Sequence, residues 1–113
     1  MLSSDVMRGY NDTIVLYILR SNDSYGYEIG QKIQALSNRK YTIKETTLYS
    51  TFARLEKNGY IKSYSGGEET KGRQRTYYHI TDLGNQYYLE KCVEWNLVKE
   101  IIDIFTQNQE ETL

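Results

Sequence analysis

The chain contains no proline, one cysteine, one histidine and one tryptophan in 113 residues, and each scarcity excludes something. A lone cysteine, Cys92, has no partner for an intramolecular disulfide, so nothing here requires an oxidising compartment. With His79 as the sole imidazole, neither a zinc cage nor a Cys–His nucleophile pair of the usual kind can be assembled. No metal, no cofactor and no enzymatic activity are therefore expected. No apolar run approaches the ~20 residues needed to span a bilayer, and the first residues lack a basic-then-apolar signal pattern. A cytoplasmic protein without a membrane partner is the expectation. The lack of proline suits long uninterrupted helices.

What is present is an ordinary globular balance, 39% hydrophobic and 26% charged, with tyrosine over-represented at 12 copies. Tyrosine offers an apolar body with a hydroxyl that can reach a polar partner, which suits the edge of a small core. The net charge of −1 hides an asymmetry. Residues 40–80 carry eight cations against four acids, a net of +4, and the remainder six against eleven, a net of −5. A basic middle in an acidic chain fits a surface that faces a polyanion, although a solvated charged face has the same composition.

Residues 6–20 carry Ile14, Val15, Leu16, Ile18 and Leu19 almost continuously. Periodicity alone does not separate a buried helix from a buried strand here, but the lack of glycine and proline favours a helix. Asn22-Asp23-Ser24 is a turn and cap signal. Tyr25, Ile29, Ile33 and Leu36 then recur at helical spacing until Asn38-Arg39-Lys40. In the next helix Thr42 and Glu45 have capping-box spacing, Leu48, Phe52 and Leu55 line one face, and Asn58-Gly59 ends it. Residues 60–65 and 73–80 read as two strands joined by a loop over 66–72, a β-hairpin with a polar tip. Thr81 caps a long helix from about Asp82 to near Gln107.

That last helix is apolar on two sides. Tyr88, Trp95, Val98, Ile102 and Phe105 form one stripe, and Val93, Leu97, Ile101 and Ile104 another; together they span roughly 200°, about twice one core face. One side is expected to pack on its own domain and the other on the same helix of a second subunit. Tyr88, Cys92, Trp95, Val98, Ile102 and Phe105 are the expected dimer interface, with Cys92 as a small packing residue rather than a redox sensor. Three helices, a basic hairpin and a long helix make an α+β, mostly α chain. It is a winged helix-turn-helix over residues 1–81 with a C-terminal dimerisation helix and tail over 82–113. In that fold the third helix enters the major groove and the hairpin tip meets the flanking backbone or minor groove.

Three blocks carry a family resemblance. Tyr25-Gly26-Tyr27-Glu28-Ile29, the run Thr47-Leu48-Tyr49 through Arg54-Leu55-Glu56 to Gly59-Tyr60-Ile61, and Gly72-Arg73-Gln74-Arg75-Thr76-Tyr77-Tyr78 through Ile80-Thr81 to Gly84 resemble the motifs of PadR-type transcriptional regulators, in the right order. The chain departs at Phe52, where leucine is usual, and at Gln74, where proline is common. Its length and single terminal helix are similar to the short subfamily that includes small multidrug-responsive repressors.

The resemblance implies a homodimeric regulator of double-stranded DNA. Lys44, Thr46, Thr47, Tyr49, Ser50 and Arg54 are the candidate contacts on the third helix, and Lys71, Arg73 and Arg75 those at the wing tip. Hydroxyls and arginine can bond phosphate oxygens or base edges; for Thr46 a helix-capping role stays equally open. Some short-subfamily members hold flat aromatic ligands between paired tryptophans, which makes Trp95, with Asp12 and Gly9, the candidate ligand site. Trp95 as plain dimer core remains the competing reading. His79 is expected on the hairpin surface or against the terminal helix. The alternative function is a winged-helix protein–protein module without DNA binding, which the net charge of −1 favours.

Overall fold

Val15, Leu16, Ile18 and Leu19 are all under 5% exposed, and the helix that carries them lies in the middle of the core. A computed structural model of the chain describes residues 2–70 and 73–107, with the side chains of 67–70 and 73 outside the description. The elements are α1 (Ser4–Met7), α2 (Asn11–Ser21), β1 (Ser24–Tyr25), α3 (Gly26–Leu36), α4 (Glu45–Lys57), β2 (Ile61–Thr70), β3 (Arg73–Ile80) and α5 (Asp82–Thr106). Among the described residues no helix is long and apolar enough to cross a membrane.

Residues 6–20 are not one helix. Ser3 caps a single turn, its hydroxyl accepting from the amide of Val6 at 3.3 Å, and the chain turns through Gly9 before α2 begins. The capping box at the third helix is also corrected. Its N-cap is Lys44 in extended conformation with no side-chain cap bond, so Thr42 lies too far upstream to reach the first turn. The other end is as expected. Gly59 takes φ +80°, and the amides of Gly59 and Tyr60 donate to the carbonyls of Glu56 and Leu55, closing α4 by a left-handed glycine motif.

The sheet has the order β1-β3-β2, all antiparallel. β2 runs well past residue 65, correcting the loop expected over 66–72. Pairing resumes at Thr70 opposite Arg73 after an irregularity in which β2 advances four residues and β3 two from the Gly66–Arg75 pair. β1 is an addition to the expected elements; two residues are too few to show a period, and Ser24 and Tyr25 form a strand only because Tyr78 and Tyr77 pass beside them. Ile61, Tyr78 and Ile80 point inward to join Ile29, Leu48, Phe52 and Leu55, and Phe52 stacks on Tyr78 with ring centres 4.2 Å apart. Residues offset by one position, including Tyr64 and His79, face solvent.

α5 starts against this body. The Thr81 hydroxyl accepts from the Gly84 amide at 3.0 Å, and Tyr87 stacks on Tyr60 at 4.1 Å. Gly84 is required there, because a Cβ would lie 2.1 Å from the carbonyl oxygen of Tyr60. The helix then crosses α2, with Tyr88 beside Tyr17 and under the Arg20 guanidinium, and the Trp95 indole edge-on to Tyr10 at 5.0 Å. Beyond that point Leu97, Ile101, Ile102, Ile104 and Phe105 are 45–75% exposed.

Candidate nucleic-acid interface

α4 divides its residues by face. Leu48, Thr51, Phe52 and Leu55 are buried, while Lys44, Thr46, Tyr49, Ser50 and Arg54 are exposed and Thr47 is half-buried. The buried face anchors the helix, so the outer groups sit on a rigid platform rather than a loop. Within it Thr51 is satisfied locally, its hydroxyl donating to the Thr47 carbonyl at 2.8 Å. Ser50 does the same with the Thr46 carbonyl at 2.9 Å and, unlike Thr51, remains exposed.

Tyr49 is held from two sides. Its ring meets Phe52 edge-on at 5.5 Å, and its hydroxyl lies over Gly26, where an added Cβ would approach to 2.5 Å. The glycine at the start of α3 is thus what lets Tyr49 lie down between the two helices while keeping about half its surface open. Thr46, Thr47, Ser50 and Arg54 line one polar groove, and Tyr49 lines a different one with Gly26, Tyr27 and Glu45. The candidates on α4 therefore share a face without forming one pocket.

Arg54 is not a free cation. Its guanidinium is ion-paired to Asp12 of α2, and that hydrogen bond, opposed by partial burial, holds the arginine proton more firmly than usual. Asp12 in turn lies 3.5 Å from the Tyr87 hydroxyl of α5. Asp12 is therefore engaged with α4 and is absent from the groove that holds Trp95 and Gly9.

In the wing, Arg75 is exposed and its guanidinium lies 4.5 Å above the Tyr25 ring. Arg73 pairs through its backbone with Thr70, but its side chain, like all of Lys71, lies outside the described residues. His79 lies on the hairpin surface, its Nδ1 2.8 Å from Asp23, which also accepts from the Tyr64 hydroxyl at 2.6 Å. Those contacts clasp the wing to the turn before α3. The Tyr64 hydrogen bond leads in lowering the Asp23 proton affinity below the ordinary carboxylate range, with burial opposing and His79 assisting.

A helix-turn-helix with exposed hydroxyls and cations on its third helix, carrying a wing, meets the description of a DNA-reading module. The family model for the transcriptional regulator PadR-like family matches residues 15–90. The chain belongs to that family. A transcriptional regulator from Clostridium thermocellum is 57% identical in structure-based comparison, covering 94% of this chain and 99% of its own, with a TM-score of 0.85. A PadR family transcription regulator from Clostridium difficile is 35% identical, covering 86% and 98%, with a TM-score of 0.71. An uncharacterized protein of Lysinibacillus sphaericus is 46% identical over 97% of this chain and 100% of its own length.

Of the residues expected at the subunit seam of this PadR-like chain, Tyr88 is occupied within its own chain by Tyr17 and Arg20, and Cys92 is half-buried. Trp95 and Val98 line a groove of about 670 Å³ with Gly9, Tyr10, Ile14 and Glu94, and Ile102 and Phe105 stand exposed. Motif-based reading misses Arg8 and Asn11, which form the wall opposite Arg54. Neither lies in a matching block. Only the break at Gly9 hints that the chain turns there.

Proposed function

We propose that this PadR-like regulator is a homodimeric repressor that reads a pseudo-palindromic operator. Residues 1–81 would bind DNA and residues 82–113 dimerise. α4 would enter the major groove with Thr46, Thr47, Tyr49, Ser50 and Arg54, Lys44 standing at its N-terminus. Lys71, Arg73 and Arg75 would meet the flanking backbone or minor groove. The observation that carries this reading is the division of α4, apolar groups sealed inward and hydroxyl and cationic groups exposed outward, within the chain's one net-basic stretch. The unpartnered apolar residues from Leu97 to Phe105 support a second copy, because a lone helix does not profit from leaving them in water.

A flat aromatic molecule fits the groove beside Trp95. The indole and Tyr10 offer ring faces and edges, and the lining carries Glu94 paired to Lys91 at 3.0 Å, so a cationic ligand would have to displace that lysine. Asp12 is committed to Arg54 and would act on DNA affinity rather than on the ligand. The ligand would release DNA only by binding the released arrangement more tightly than the bound one. Trp95 is the sole tryptophan, so quenching of its emission by planar dyes reports on that groove directly.

The test of the main reading is selection of bound sequences from a random duplex library. Enrichment of a two-fold symmetric motif, with half-sites about one helical turn or a small multiple apart, supports it. Retention of no sequence over the background would favour the protein–protein module instead.

A further inference from the structure

The polar groove on the outer side of α4, about 290 Å³ in volume, has a second wall that does not belong to the helix-turn-helix. Arg8 and Asn11, from the α1–α2 junction, stand opposite Thr47, Ser50 and Arg54. Among the described residues no acidic one lines it.

Asn11 is 3% exposed, and its side-chain oxygen accepts from the Tyr41 hydroxyl at 2.6 Å. Its amide NH2 makes no hydrogen bond among the described residues. Yet among those residues no sealed side-chain nitrogen or oxygen lacks a partner, so the NH2 reaches surface, and the surface Asn11 reaches is this groove. A buried amide that spends its oxygen internally and presents its donors to a polar cleft is set up for an acceptor-only ligand.

The arginines point the same way. Arg8 donates through Nη2 to Asp5 at 2.7 Å, and Arg54 uses Nη2 on Asp12. A guanidinium carries five N–H donors, so each arginine keeps its Nε and Nη1 donors after that pairing. Neither pairing exhausts the donors of its arginine. These remaining donors, with the Asn11 amide and the Thr47 hydroxyl, are of the kind that the acceptor-only oxygens of a phosphate take.

We propose that this groove binds a phosphate of the DNA backbone, making Arg8 and Asn11 DNA-binding residues supplied from outside the helix-turn-helix. The inference rests on the reading of α4 as the DNA-facing helix. Free inorganic phosphate has the same chemistry, and the two sources separate by experiment.

Anisotropy of a labelled random-sequence duplex, titrated with the full-length protein across a salt series, reads the interaction. Arg8→Gln, at a surface residue, is expected to bind about tenfold more weakly at low salt. Its log–log salt slope should fall by about 0.9 for each phosphate that is no longer neutralised, and by the same amount on any sequence. Arg8→Lys should restore the slope, and Lys99→Gln on α5 should leave it unchanged. An unchanged slope and affinity for Arg8→Gln, with circular dichroism intact, overturns the proposal. If inorganic phosphate shifts the Asn11 side-chain amide resonances while the Arg8→Gln slope on DNA is unaltered, the groove is a small-anion site and the DNA assignment fails. If the parent protein shows no duplex binding at any salt, the reading of α4 itself has failed, an outcome distinct from a parent that binds and a variant that matches it.

Discussion

The guanidinium of Arg54 on α4 is ion-paired to the carboxylate of Asp12 on α2, 42 residues earlier in the chain. One carboxylate thereby ties α4 to α2, and its second oxygen lies 3.5 Å from the Tyr87 hydroxyl on α5. The Arg54 side chain is 45% exposed and that of Asp12 14%, so water screens the pair and its worth in stability is modest.

Asp12→Asn should cost about 1 kcal/mol or less in a urea titration. It should also raise affinity for a non-specific duplex at low salt, because it frees Arg54 and removes a negative charge beside the interface. Paired titrations of stability and DNA affinity check both signs. A variant that is less stable and also binds DNA less well would mean that Asp12 orients Arg54 rather than competing for it.

Gly84→Ala should be among the most damaging single-methyl changes in the protein. The added Cβ would meet a backbone carbonyl rather than the end of a flexible side chain, and α5 would have to lift off Tyr60. A loss of about 2 kcal/mol or more is expected, comparable to the ~2–5 kcal/mol for Leu48→Ala in the core. Thermal unfolding of the two variants beside the parent reads this.

Acid should weaken the wing clasp. Asp23 has a lowered proton affinity in the folded chain, so its contribution is present above the unfolded carboxylate value near ~3.9 and is lost as pH falls through the lower folded value. Its side chain is 36% exposed, which keeps the contribution below about 1 kcal/mol. Urea midpoints between pH 5 and pH 2.5 should therefore fall less steeply for Asp23→Asn than for the parent.

The terminal helix gives a separate prediction. Ile102→Glu with Phe105→Glu places two charges among side chains that are 52% and 75% exposed in the single chain, so monomer folding should be little changed. Sedimentation velocity should show the parent as a dimer and the double variant as a monomer. A monomeric parent would contradict the proposed assembly.

Much of the frame is legible in the sequence because its signals are local. Gly59 ends α4 through a conformation glycine favours, Thr81 caps α5 from three residues away, and Leu48, Phe52 and Leu55 repeat at helical spacing. What escapes is non-local. β1 is too short for a period and exists by virtue of β3, and the Asp12–Arg54 pair joins residues 42 apart. Trp95 packs on Tyr10 because α5 crosses α2 at that height, which no spacing within either helix encodes. The first helix breaks at Gly9 because Ser3 caps a separate turn ahead of it, a weak signal beside the apolar run that follows. The site divides in the same way. The face of α4 is readable from its pattern, and the opposite wall at Arg8 and Asn11 is not.

In the proposed reading α4 contacts DNA with Tyr49 on its exposed face. The most direct test is anisotropy of the parent and Tyr49→Ala on the duplex enriched by selection, with an unrelated duplex as reference. Because Tyr49 is half exposed, removing it forfeits its contacts with Gly26 and Phe52 but only half of a full side-chain burial, a cost of about 1.5–3 kcal/mol. The variant is expected to stay folded and to lose at least tenfold in affinity for the selected duplex. Equal affinity of Tyr49→Ala and parent for that duplex would contradict it.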